Sequence, residues 1–376
     1  MAMIKKYYKV IIVVVFILII FLIINLLTSH SQKKALDFRN DKIKTELIKE
    51  AKNFNDLFEL TEEVKLEGKL IGSIKKIKTM PSGHFGVIDE SSKQLNIFSS
   101  SGKFIKTIGG IGKGPGEYLY AVDFTFDNEG NIYILDPILY NIYYFDKQGN
   151  YRWSMKITDQ AENILVVDDK LYLYTTVNML DRPSGACYDL TTGEKLFEFA
   201  YPTEYIKLLI ENKYISLLLN SKSADIYKNK IYLINPYQYA IREFDLKGNE
   251  KKLIYGVSKY FIPYDSLKEF HPFSISPKNF FKSALNGLSL WNDIIIISFL
   301  NNEMKKIFVD FYTLNGYKMN NNSIEVPQIL FNQNSFYPFY VDSENIFYSY
   351  YQPQPDSLNV LPNPVIVKYK CLALRD

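Results

Sequence analysis

Asn131–Gly149, NIYILDPILYNIYYFDKQG, and Lys230–Gly248, KIYLINPYQYAIREFDLKG, are two versions of one unit. Each opens with an apolar run of strand length, breaks at Asp-Pro or Asn-Pro, resumes with aromatics, and ends at Phe-Asp and a Gly turn. Asp136 stands as far from Asp146 as Asn235 does from Asp245. β-Branched and aromatic residues suit a pleated, half-buried surface. Gly, Asn and Asp tolerate the positive φ of tight turns. The unit therefore reads as two antiparallel strands with their turns, and a match over this length marks an internal repeat.

Weaker copies fill the remaining chain. His84–Asp89 is followed by Leu95–Phe98 and Ser101-Gly102, and Lys170–Tyr174 by Tyr188-Asp189 and Thr192-Gly193. Asp293–Ser298 precedes Phe311-Tyr312 and Asn315-Gly316, and Asn345–Tyr350 precedes Val365–Tyr369. The equivalent landmarks are Phe98, Phe145, Tyr188, Phe244, Phe311 and Tyr369. They lie 43–67 residues apart, the length of a four-stranded blade with variable loops. One such sheet cannot cover both of its own faces, so neighbours must stack on it. The expected fold is all-β, a six-bladed β-propeller over residues 58–376. The segment around Glu63–Leu66 is expected to pair into the last blade and close the ring, leaving no long open edge. Cys187 falls in the third copy and Cys371 in the sixth, on opposite sides of the ring. A disulfide needs Cα atoms within about 7 Å, so both thiols are expected to be unpaired.

The start of the chain differs. Val10–Leu27 is apolar apart from Asn25, about 27 Å long as a helix, close to the thickness of a bilayer core. Residues 1–31 therefore read as a short stub with either a membrane anchor or a signal segment cut after Ser31. The body is expected outside the cytoplasmic membrane, because large following domains translocate largely regardless of flanking charge. In residues 32–57, Ile43, Leu47, Ala51, Phe54 and Phe58 recur at helical spacing opposite Lys42, Lys44, Glu46, Lys49 and Glu50, which predicts a short amphipathic helix as a linker.

Composition excludes several functions. Lys5, Lys6 and Lys9 account for the whole excess of 44 basic over 41 acidic residues, so the body is electrically balanced. A nucleic-acid partner, which calls for a basic excess, is not expected. Of the 3 histidines only His84 and His271 fall in the body, too few for a three-histidine metal site, and no Gly-x-Ser-x-Gly elbow is present. No metal site and no cofactor are predicted.

Gly109–Tyr118 is the least ordinary stretch. A phosphate-binding loop would need Lys followed by Ser or Thr and a helix, whereas Lys113 is followed by Gly114 and Pro115. The structural reading is a tight crossing between blades, with positive φ at several of Gly110, Gly112, Gly114 and Gly116 around Pro115. The functional reading is a ligand-facing loop presenting Lys113, Glu117 and Tyr118. Asp136 and Asn235, at the ends of equivalent strands, either face a ligand or cap their own turns. Tyr140 and Tyr237 beside them either stack a ligand or pack between strands.

Phe104–Tyr118, FIKTIGGIGKGPGEY, together with DNEGNIYILD and FDKQGNY, resembles the six-bladed β-propeller proteins common in Bacteroidetes, relatives of the NHL-repeat propellers. The shared pattern is Gly112-Lys113-Gly114-Pro115-Gly116-Glu117-Tyr118. The resemblance implies the propeller fold and an exported, often lipoprotein-like, address. No cysteine follows the apolar run here, so the lipid-anchoring part of that pattern is absent. The expected function is a membrane-anchored extracytoplasmic module, attached through residues 10–27, that binds a peptide, glycan or envelope protein without catalysis. The alternatives are a calcium-type, metal-assisted hydrolase or lactonase, and a purely structural or sensory domain.

Overall fold

A computed structural model describes residues 45–175, 182–211, 223–263, 283–327, 340–341, 346–355 and 361–372. Residues 10–27 and His271 lie outside the described residues. Among the described residues no helix is long and apolar enough to cross a membrane. Residues 45–50 are helical. Two units divide the chain, the second running from Ala51 to Leu372. The helical spacing that predicted a linker through residue 57 is broken here, because Phe54 and Phe58 serve the second unit. Phe54–Asp56 is a single 3-10 turn, and Phe58 begins a strand.

That strand, β1 (Phe58–Lys65), is followed by β2 (Ile74–Thr79), β3 (Phe85–Asp89), β4 (Gln94–Phe98) and β5 (Phe104–Ile108), which form the first blade in the order β2-β3-β4-β5. The Gly-rich stretch supplies β6 (Gly110–Ile111) and β7 (Glu117–Tyr118), paired parallel to one another. The second blade holds β8 (Asp123–Phe126), β9 (Ile132–Asp136), β10 (Asn141–Phe145) and β11 (Tyr151–Lys156). The third holds β12 (Asn163–Val167), β13 (Lys170–Tyr174), β14 (Gly185–Asp189) and β15 (Lys195–Phe199). The fourth holds β16 (Ala224–Tyr227), β17 (Lys230–Asn235), β18 (Gln238–Asp245) and β19 (Glu250–Tyr255). The fifth holds β20 (Ser283–Trp291), β21 (Ile294–Asn301), β22 (Lys306–Thr313) and β23 (Ile324–Glu325). The sixth holds β24 (Tyr340–Val341), β25 (Ile346–Tyr351) and β26 (Val365–Cys371), completed by β1 as its outermost strand.

Each aromatic landmark of the repeat thus lies on the third strand of its blade. Ring closure also matches the sequence reading: β1 pairs antiparallel with β26 from Phe58↔Cys371 to Lys65↔Val365. Burial explains the residue types. Second strands such as β3, β9 and β21 are buried along their whole length, sandwiched between neighbouring blades, and read as nearly continuous apolar runs. The outer strand β11 alternates half-buried and exposed residues, as expected where one face meets water.

The core is divided among the blade interfaces. Ile97, Ile108, Phe124 and Ile134 pack between the first and second blades, and Leu135, Ile164 and Leu173 between the second and third. Tyr172, Phe199, Ile231 and Phe244 join the third to the fourth, and Ile241, Leu285 and Phe299 the fourth to the fifth. At the closure, Val64, Ile77, Phe85 and Ile366 join the sixth to the first. Phe58 stacks on Phe311 at 6.3 Å, and Trp291 meets Phe347 edge-on, tying the fifth blade to the sixth. Neither Cys187 nor Cys371 forms a disulfide, as the blade assignment requires, and both are buried. Burial raises the Cys187 thiol to about 11, so it stays protonated and unreactive.

The glycines of the crossing do not share one backbone conformation. Gly109 and Gly116 sit at φ +70° and +75°, and Gly112 also has positive φ, whereas Gly110 and Gly114 do not. Gly114 is kept small by the Glu117 carboxylate, 3.0 Å from where its Cβ would stand, and not by its backbone conformation. At Gly116 a Cβ would meet the Tyr151 ring carbon at 3.1 Å as well as the strained backbone. Gly116→Val should therefore cost about 2 kcal/mol or more and lower the melting temperature by several degrees. Gly114→Ala should cost clearly less, because a side chain can yield where a backbone cannot; equal losses in a thermal melt would contradict this account.

Candidate functional site

The innermost strands β2, β8, β12, β16, β20 and β24 all contribute to one cavity of about 410 Å³ along the propeller axis. Its lining includes Lys76, Lys78, Asp123, Asn163, Asp225, Ser289 and Val341. Met80, Pro81, Asp127 and Asn128 also line it, and they belong to the turns joining first to second strands. The cavity therefore opens on the face where those turns lie.

Its wall is a polar belt that crosses blade boundaries. Lys78 pairs with Asp123 at 2.8 Å and donates to the Phe124 carbonyl. Asp123, almost wholly buried, accepts the Ile164 backbone N–H at 3.0 Å, so one carboxylate joins three blades. Above it Lys76 donates to Asn163 Oδ1 at 3.4 Å, and Asn163 donates to Ser223 Oγ at 2.9 Å. Lys76 is only 5 % exposed. Burial lowers its ammonium from the usual 10.5 to about 8; Lys78 and Lys75 push the same way, while Asp123 and Glu162 oppose. Lys76 and Lys78, two apart on one strand, share a face of β2. The Thr79 hydroxyl, which also borders the cavity, is buried without a hydrogen-bond partner among the described residues.

The residues singled out from the sequence lie elsewhere. Asp136, Tyr140, Asn235 and Tyr237 flank turns between second and third strands, at the end opposite the cavity mouth, and the Gly crossing is at that end too. Asp136 is fully buried. Its Oδ2 accepts the N–H groups of Leu119 and Tyr120 at 2.7 and 3.3 Å, and its Oδ1 those of Ile138 and Leu139 at 2.8 and 3.0 Å. It clasps the incoming inter-blade connection and its own turn at once. Asp89 does the same in the first blade with Gly72, Ser73, Ser91 and Ser92. Asn235 Oδ1 accepts the Tyr237 N–H at 3.0 Å, and Tyr237 is buried.

Tyr118 corrects the ligand-facing reading of the loop. It is 0 % exposed, donates to the Ile108 carbonyl at 2.6 Å and accepts the Leu95 N–H at 3.1 Å. The Tyr that follows Gly-Glu is a core plug, because the crossing must fold back onto the first blade. Glu117 turns inward to accept the Gly114 N–H at 2.9 Å. Of the residues named, Lys113 and Tyr140 remain exposed. The structure brings Asp136 to the end of the Gly crossing, but it leaves Asn235 and Tyr237 two blades away from them.

Sequence reasoning missed Lys76, Lys78, Asp123 and Asn163. The repeat was recognised from second and third strands, whereas these residues sit on first strands, which are short and share little sequence. The available signal was the set of three lysines in IKKIKT, Lys75, Lys76 and Lys78, in a strand otherwise bound for the interior.

A second cleft of about 410 Å³ lies on the third blade, bordered by Asp159, Arg182, Lys195, Glu198 and Tyr201. Lys195 bridges Asp159 and Glu198 at 3.3 and 2.7 Å, so much of its charge is matched internally. Among the described residues no group of three His, Cys, Asp or Glu side chains is placed to hold a metal ion.

Two outcomes follow from these contacts. Asp136→Ala strands four N–H groups and should cost about 3 kcal/mol, read as a lowered denaturation midpoint, with Asp136→Asn recovering part of it. Lys76 has a folded-state pKa below its unfolded value, so its penalty is complete below pH 8 and is relieved as pH rises from about 8 toward 10.5. Lys76→Met should therefore melt higher than the wild type at pH 7, with the gap closing by pH 10; a gap independent of pH would contradict a buried, strained ammonium.

The sequence model of a family described as a domain of unknown function, DUF4934, matches residues 41–364. Among solved structures, a Bacteroides fragilis protein described as exported is 14% identical with a TM-score of 0.61, over 86% of this chain and 98% of that one. A member of the DUF4221 family from Bacteroides vulgatus is 11% identical with a TM-score of 0.58, over 84% and 98%. At such identities the likeness is one of fold, and it agrees with the six-bladed ring read from the sequence. No curated protein matches the chain. The match across residues 41–364 covers the six-bladed ring almost to its end: the chain belongs to the DUF4934 family.

Proposed function

We propose that the protein is a non-enzymatic binding module of the cell envelope, displayed outside the cytoplasmic membrane by residues 10–27, and that its ligand enters the axial cavity. The observation that carries this reading is the cavity itself, walled by all six blades and open on one face. Small-molecule sites are concave, largely pre-formed and lined by a few placed polar groups, which describes this wall. The extracytoplasmic address rests on the apolar N-terminal segment, and the B. fragilis neighbour described as exported is in keeping with it.

The metal-assisted hydrolase reading needs carboxylates that converge on an ion. Here Asp123 is paired with Lys78 and accepts backbone N–H groups. Asp127 accepts the N–H groups of Glu129 and Asn131 and the Tyr133 hydroxyl. Both are satisfied by the protein itself, which supports binding over metal chemistry.

A screen of short peptides and oligosaccharides by thermal shift tests the site. Asn128, exposed at the mouth, can be replaced by Trp to block entry. Asn128→Trp should abolish the ligand-induced shift with little change in the unliganded melting temperature, while Lys113→Ala and Tyr140→Ala on the opposite face should leave it intact. The reverse pattern would move the ligand to the Gly-loop face. Calcium-dependent hydrolysis of a lactone or ester, lost in chelator, would replace binding by catalysis.

A further inference from the structure

The axial cavity has a neighbour. A depression of about 350 Å³ lies between the first and second blades, bordered by turns of the face on which the cavity opens. Met80 and Pro81 border both spaces. The turn after β8 is shared as well: Asp127 and Asn128 line the cavity, Glu129 and Gly130 the depression. The two spaces therefore adjoin, with the hairpin tips of the first and second blades between them. Their chemistry differs. The depression is walled by Met80, Ile97 and Ile132, all buried, and by Ile105, which is 45 % exposed although its side chain is large and apolar. Lys106 and Lys147 stand at its edge against one carboxylate, Glu129. Lys106 donates to the Gln148 carbonyl, and the exposed Lys147 ammonium forms no ion pair among the described residues.

We propose that the ligand is an extended peptide. One residue sits in the axial cavity, an apolar side chain of Leu or Phe size fills the depression, and an acidic group beside it pairs with Lys147. The proposal rests on the axial cavity being the ligand site and adds the ligand's class. An extended chain places same-side side chains about 7 Å apart, so residues two to four apart can occupy spaces on either side of a hairpin tip. Aliphatic walls favour an apolar side chain through the water both surfaces release. They offer a sugar's hydroxyls no partner, and no Phe, Tyr or Trp ring lines the depression for a sugar to stack on. The excess of lysine over carboxylate at the edge complements an acidic neighbour.

The test offers the full chain two probe pools: acetylated pentapeptide amides with Gly, Ser, Leu, Phe, Asp or Lys at each position, and cellotetraose with chitotetraose. Mass spectrometry reads what is retained. Peptides with Leu or Phe at one position and Asp near it should be enriched. Ile105→Asp should lower retention of the Leu and Phe peptides about tenfold or more, Lys147→Ala should remove the preference for Asp, and Lys113→Ala should change neither. Ile105 and Lys147 are both exposed, and an unliganded thermal melt checks that each variant folds. Peptides retained with no apolar preference, or a Leu and Phe preference that survives Ile105→Asp, overturn the depression as a second subsite. A preference for Asp that survives Lys147→Ala overturns the acidic pairing. An oligosaccharide retained in place of peptides and lost in Asn128→Trp overturns the peptide but keeps the axial cavity as the site. Retention insensitive to Asn128→Trp, or no retention from either pool, overturns the two readings together.

Discussion

The pairing of β1 with β26 is the contact on which the molecule depends. Six sheets can shield one another only if the last meets the first, and here the sixth blade borrows its outer strand from the opposite end of the chain. The seam is reinforced where strand hydrogen bonds stop. Asn363 donates to the carbonyls of Leu66 and Lys69, both at 2.7 Å, and accepts the Ile71 N–H at 2.9 Å, holding the path from β1 to β2 against the sixth blade. Glu67 exchanges backbone hydrogen bonds with Gly102 and Phe104 of the first blade. Phe54 and Phe58 cover the seam, Phe54 packing edge-on against Tyr369 at 5.3 Å. Two phenylalanines at helical spacing looked like a helix in the sequence because their period suits either use; the ring claims them.

A second constraint recurs around the ring. Each connection from an outer strand to the next inner strand brings unpaired backbone N–H groups toward the interior, and buried donors must be satisfied. Asp89 and Asp136 meet that need with both carboxylate oxygens, and Asn363 with a side-chain amide. The third-to-fourth strand turns use a parallel device. Asp146 and Asp245 each accept the N–H and side-chain amide of the Asn four residues on, around a Gly at φ +80°. These bonds hold both carboxyls below the usual carboxylate range. The Asp residues that give the repeat its signature are thus scaffolding groups.

Function is assigned instead to positions where the repeat is silent. A propeller needs its second and third strands to look alike, because they fill equivalent interfaces. Its first strands face the axis, where each blade contributes a different residue to one shared space. Lys76, Asp123, Asn163 and Ser223 come from four blades and form two short chains of contacts across them. Such a belt stiffens the inner strands and leaves an asymmetric, charged wall inside a nearly symmetric frame.

The amino-acid sequence alone was enough for the blade count, the third-strand landmarks, the closing strand and the lack of a disulfide between the two cysteines. All of these are local in period or recur along the chain, so a single sequence displays them. The cavity was out of reach. Its residues are separated by tens to hundreds of positions, share no motif, and meet only because the ring closes. Asp136 and Tyr118 illustrate the same limit from the other side: their types suit a ligand site as well as a clasp or a core plug. Only burial and the direction of neighbouring N–H groups, both products of tertiary packing, decide between those uses.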